Sequence, residues 1–144
     1  MHLRAISDLD IARKDVKEKG FALSIVRNGN TIFQSKTPGI SALVTAIDKD
    51  RFLFKGASAA DQVLGRAAAM LLLYSEIVSI FASTASSDAL AILKRFKIPV
   101  ESERVVPAIL NRNQTSTCPF ESLVRDVENP EEAFNRLRVC KISD

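Results

Sequence analysis

The residues most able to do chemistry sit at Cys118-Pro119-Phe120-Glu121. A thiol at a helix N-cap, proline at the first helical position and a carboxylate at the third is a recognisable helix start. Free N–H groups there favour a thiolate, whereas a carboxylate so close disfavours it. The spacing has a plainer reading too, in which Cys118 only caps and Glu121 closes the box. Asn111 and Arg112, shortly before, can offer an amide and a guanidinium to the same pocket, or form a solvated turn. A second group is Asp61, Gly65 and Arg66. Gly65 would keep the surface low for a ligand and Arg66 would bind an anion. Structurally, Ser58 would cap, Asp61 would complement the helix dipole, and Gly65 would let a strand pass close.

Other chemistries lack their residues. One histidine, His2, and two cysteines, Cys118 and Cys140, cannot make a zinc site of ordinary spacing. Neither G-x-G-x-x-G nor G-x-x-x-x-G-K-[ST] occurs. A Ser-His-Asp triad would have to use His2, close to a terminus. No cofactor is expected.

Positioning these groups requires a sheet with helices. Phe52-Leu53-Phe54, a helix over Ala59–Tyr74 and Ile77–Ala82 predict a strand–helix–strand crossover. In such sheets, ligands gather where strands end and helices begin. Before it, Ser7 has the spacing of a capping box and Gly20 ends a first helix. Asn28-Gly29 predicts a two-residue type I′ turn pairing Arg27 with Asn30. Thr37-Pro38 reads as the start of a second helix striped by Ile40, Leu43, Val44 and Ile47, ending near Asp50. After the crossover, Ser86 or Ser87 caps a helix, and Val100 to about Arg104 is extended. The stretch from Val105 to Leu110 fits either a short helix or an edge strand. Asn111–Thr117 is a polar loop, and Asn129-Pro130 opens the last helix. These elements predict a single domain over residues 1–144, a three-layer α/β/α sandwich with a mixed sheet.

The totals narrow the partners. At 144 residues and 47% hydrophobic, the chain can bury a core. Its net charge of +3 is dispersed, and one Tyr with no Trp gives little for base stacking, which weighs against nucleic acid. No apolar run is long enough to span a membrane. Met1-His2-Leu3-Arg4 followed by polar residues does not read as a signal peptide, so a cytoplasmic protein with reduced cysteines is expected. A homo-oligomer is compatible with these features.

The series G-A-S-A-A-D-Q-V-L-G-R-A-A-A, a serine-started helix, then I-L-N-R-N-Q-T-S-T-C-P-F-E resembles the family called domain of unknown function 1893. Members show an A-D-x-x-x-G-R-A-A-A block and an N-R…C-P-x-E block at this separation, and the similarity runs from about Phe21 to Arg138. The resemblance implies a cytidine-deaminase-like fold. It also implies motif positions at Asp61, Gly65, Arg66, Asn111, Arg112, Cys118, Pro119 and Glu121. The zinc deaminases carry H-A-E or C-A-E at one helix start and P-C-x-x-C at the next. Here those starts read Leu64-Gly65-Arg66-Ala67-Ala68 and Ser83-Thr84-Ala85-Ser86-Ser87-Asp88. The ligands and the proton-shuttling glutamate are missing. The expectation is therefore a zinc-free scaffold with a small-molecule pocket, nucleotide-like or anionic in preference, with any activity running through Cys118. The alternative is a non-catalytic interaction module that keeps only the scaffold.

Overall fold

The computed structural model describes residues 6–110 and 118–140. The first element is α1 (Asp8–Lys19), where Ser7 Oγ accepts a hydrogen bond from Asp10 N–H at 3.1 Å and Gly20, at φ 77°, ends the helix. Strands β1 (Leu23–Arg27) and β2 (Asn30–Ser35) form the hairpin, with Arg27 opposite Asn30. Asn28 and Gly29 take φ of 53° and 81°, as a type I′ turn needs. The Asp8 carboxylate accepts from both turn N–H groups, at 3.0 and 2.8 Å, and ties the hairpin to α1.

Helix α2 spans Ser41–Lys49 with Ile40 at its N-cap, so the start expected at Thr37-Pro38 comes three residues later. Ser35 is the reason. Its hydroxyl accepts from Thr37 N–H and donates to the Thr37 carbonyl, holding a turn that keeps Thr37 and Pro38 out of the helix. The expected strand at Phe52–Phe54 is instead a 3₁₀ turn (Arg51–Phe54) capped by Asp50. A three-residue apolar run carries too little periodicity to separate the two.

The largest departure comes next. Residues 58–64 form β3 (Ser58–Leu64), and helix α3 (Arg66–Tyr74) begins only after Gly65. Ala59 and Ala60 favour helix by propensity, but β3 is the central strand, antiparallel to β1 and parallel to the next. Small residues suit a strand covered on both faces. Then follow β4 (Ser79–Ser86), α4 (Ser87–Arg95) with Ser86 as cap, and β5 (Val100–Val106), which settles part of the 105–110 stretch as edge strand. Helices α5 (Pro119–Val124) and α6 (Pro130–Arg138) start at Cys118 and Asn129 as the sequence predicts.

The sheet order is β2-β1-β3-β4-β5, mixed in direction. Adjacent residues on its strands divide between two apolar clusters. Ile25, Ala59 and Ile80 join the cluster built by α2 to α6; Val26, Ala60 and Phe81 join Ala12 and Val16 of α1. A helix layer therefore lies on each side of the sheet. Among the described residues no helix is long and apolar enough to cross a membrane.

Asp15 joins α1 to the hairpin. Its buried carboxylate accepts from Ser24 Oγ at 2.7 Å and from Thr31 and Gln34 at 3.3 Å, with Lys19 at 3.5 Å. Burial raises this carboxyl, but the bonds from Ser24, Gln34 and Lys19, with the Lys19 charge, outweigh it and leave the net shift downward. A lowered folded value means stability that is present above the unfolded value of about 3.9 and lost as pH falls through the folded one. Asp15→Ala should cost about 2–4 kcal/mol near neutral pH, since Ser24 loses its buried acceptor. Denaturant melts of the two proteins should converge as the pH drops below about 4. A gap that persists unchanged into acid would assign the loss to packing instead.

Candidate functional site

Chain direction reverses where β3 ends and α3 begins, and a cavity of about 610 Å³ opens there. One wall is the end of β3, with Asp61, Gln62 and Val63; the first turn of α3 adds Gly65, Ala67 and Ala68. Across from them lie the Thr37–Ile40 loop, Ile109 and Leu110, and the start of α5 from Cys118 to Glu121. The loop is there because Ser35 holds it out of α2.

The two groups singled out by sequence thus meet, though in altered roles. Asp61 is on a strand and does not sit at a helix start. It lies partly buried against the cavity, and its Oδ1 accepts from Val63 N–H at 3.3 Å. Burial pushes its carboxyl up to about 7, with the backbone N–H groups of Val63 and Gln62 pulling the other way. No cation pairs with it among the described residues.

Glu121 does not close a box over Cys118. Its two carboxylate oxygens accept from Arg66 N–H and Ala67 N–H, both at 2.7 Å, and so cap α3 from the far side of the cavity. Burial shifts the Glu121 carboxyl upward and Asp88 adds to this, while the two N–H donors and the Arg66 charge offset part of it. This explains Gly65, the N-cap of α3. Its φ of −100° and ψ of −177° suit any residue. A Cβ there would lie 2.3 Å from Glu121 Oε1, so it is space, not backbone conformation, that requires glycine.

Arg66 turns away from the cavity. The buried guanidinium donates from Nε to the Val124 carbonyl and from Nη1 to Asp88, both at 3.0 Å, and from Nη2 to the Val127 carbonyl. Each of its three nitrogens donates to protein and the side chain does not line the cavity, so it is not placed to bind the ligand anion expected of it. The helix N–H groups that would have helped it are taken by Glu121.

Cys118 is the N-cap of α5, as its spacing predicts, yet its side chain makes no capping hydrogen bond. The thiol is partly buried at the cavity wall, and α5 has only 6 residues to lend it a dipole. Cys140 lies just past α6, partly buried against the main core. Asn111 and Arg112 fall outside the described residues. Among the described residues no group of three His, Cys, Asp or Glu side chains could hold a metal ion.

Sequence reasoning missed the long reach of Glu121 and the wall contributed by Thr37–Ile40, Ile109 and Leu110. One signal was available for the first. A helix that starts after glycine has no side-chain cap of its own and needs an acceptor from elsewhere.

Comparison with known proteins agrees with this architecture. The family described as "Domain of unknown function (DUF1893)" matches residues 11–140. A crystal structure of a DUF1893 family protein from Thermotoga maritima superposes with a TM-score of 0.81 at 26% sequence identity, covering 95% of this chain and 92% of that one. No curated protein matches the chain. With the family match spanning nearly the whole sequence, the chain belongs to the DUF1893 family.

Proposed function

We propose that this is a zinc-free, deaminase-like scaffold that holds a small molecule in the cavity between β3, α3 and α5. The observation that carries this reading is the cavity of about 610 Å³, mostly apolar, with a few polar groups converging on it. That volume is typical of small-molecule sites. Its position, outside the carboxyl end of a parallel strand, is where open α/β sheets place ligands. Two strand ends, after β3 and after β4, feed helix starts at Gly65-Arg66 and Ser86-Ser87. The deaminases resembled by the sequence hold their metal at such starts, and here neither bears a ligand. Cys118 is the strongest nucleophile in the wall, and thiol chemistry, if the domain has any, would run there.

Disulfide capture tests the reading. A library of small thiols, equilibrated with the protein under partly reducing conditions, should be retained selectively at Cys118, because a fragment lying in the cavity gains contacts that stabilise the bond. Cys140 is the internal control, since it is also partly buried but does not line this cavity. Intact-mass spectra of Cys118→Ser and Cys140→Ser give the two sites separately. Equal capture at both, or none at Cys118, would overturn cavity binding and favour a module that uses only its outer surface.

A further inference from the structure

The charges around this cavity specify more than its volume does. Resting on the cavity reading above, we propose that the site selects a monocation, such as an amidinium or a protonated amine on an apolar body, with Asp61 as its counter-charge. Three observations converge. First, among the described residues the ionisable side chains lining the cavity are Asp61 from β3 and Cys118 and Glu121 from the start of α5. The Thr37–Ile40 loop, Ala22, the first turn of α3 and Ile109-Leu110 contribute no titratable side chain, and among the described residues no Lys or Arg lines the wall.

Second, the donors that could have received an anion are already used. Glu121 takes the N–H groups of Arg66 and Ala67, and the Arg66 guanidinium is turned to Val124, Val127 and Asp88. A phosphate or carboxylate entering the cavity would meet two carboxyl groups and no free cation among the described residues. Third, among the described residues Asp61 accepts only from local backbone N–H groups, Val63 and Gln62. A carboxylate drawn even partly out of water is disfavoured without a counter-charge, and it is ordinarily found paired. Asp61 faces open volume in place of a partner, so the ligand is the partner. The apolar walls, from Pro38 and Ile40 to Ile109 and Phe120, then receive the rest of the molecule.

The sign of the pH dependence follows. Burial holds the Asp61 carboxyl up to about 7, so the group is largely neutral in weak acid and ionised at pH 8. A cation needs the ionised form and should bind more tightly as pH rises. Glu121 also titrates upward of its ordinary value, but its oxygens are bound to the α3 backbone, and a neutral ligand reports any effect of that contact.

The probes are benzamidine, benzamide and benzoate, three molecules of nearly one shape with charges of +1, 0 and −1. Calorimetry and melting temperature should rank benzamidine first and benzoate last. Benzamidine should bind about thirtyfold more tightly at pH 8 than at pH 5.5, following the ionised fraction of Asp61, while benzamide stays level. Asp61→Asn keeps the size and the Val63 contact. It should flatten the pH profile and erase the preference for benzamidine, yet melt no lower than wild type at pH 8, because it removes an unpaired buried charge. Should that variant fail to fold, the wild-type ranking and pH profile decide alone. Benzoate binding as well as benzamidine, a level benzamidine profile, or silence from all three probes would overturn the proposal. Disulfide capture at Cys118 does not depend on ligand charge, so it shows whether cavity binding itself survives such a result.

Discussion

Replacing Arg66 by alanine should lower the melting temperature by roughly 10–15 °C, from a loss of about 3–5 kcal/mol in a domain of this size. The side chain is 8% exposed and holds the carbonyls of Val124 and Val127 together with Asp88. Removing it leaves two buried acceptors without donors and a void where the stem had packed. Asp88 contributes least, since it is 51% exposed and an ion pair half in water is worth little. Arg66→Lys should recover only part of the loss, because one ammonium cannot reproduce the planar fork that reaches three acceptors. Hydrogen exchange should show the damage first at α5 and α6. Stability within about 1 kcal/mol of wild type would show that other contacts dock these helices.

Gly65→Ala carries the second large effect, and its cause can be separated from simple crowding. The nearest atoms to a new Cβ are the carboxylate of Glu121, the far end of a flexible side chain. That carboxylate can swing aside at small steric cost. What disappears is its pair of 2.7 Å bonds to the first N–H groups of α3. Hydrogen bonds to a charged group contribute about 1.5–3 kcal/mol each, so a net loss of about 3 kcal/mol is expected after relief of the Glu121 burial cost. Glu121→Ala should cost a similar amount. In the double variant the two should not add, because each removes the same contact. Full additivity in a urea-melt cycle would mean that Gly65 is required by something other than Glu121.

The sequence was most legible where the signal was local. Ser7, the Asn28-Gly29 turn, Ser86 and Asn129-Pro130 each act within a few residues of themselves, and each element starts where they place it. Residues 58–64 misled because alanine carries a helix propensity that burial between two strands overrides. Glu121 misled for a related reason. Its spacing to Cys118 is a capping box, but the N–H groups it caps belong to a helix 55 residues earlier. Asp61, Gly65, Cys118 and Glu121 stood out in the sequence as two separate groups; that both line one cavity depends on contacts between distant segments, which spacing does not carry. Arg66 looked like a ligand group because nothing in a sequence distinguishes an exposed arginine from one buried against backbone carbonyls.

The clasp between α3 and α5 also bears on when the protein becomes whole during its synthesis. The contacts that close it join residues 55, 58 and 61 positions apart. While the ribosome is still adding α4 and β5, the hairpin and β3 can already pair, but α3 has no cap and Arg66 has no carbonyls to hold. Contacts so distant in sequence close after local ones, because the loop between them must first be ordered. A nascent chain stopped before Glu121 would therefore carry much of the sheet and only half of the cavity. Helices α5 and α6, made after the sheet, act as the fastener of a site whose floor was laid well before.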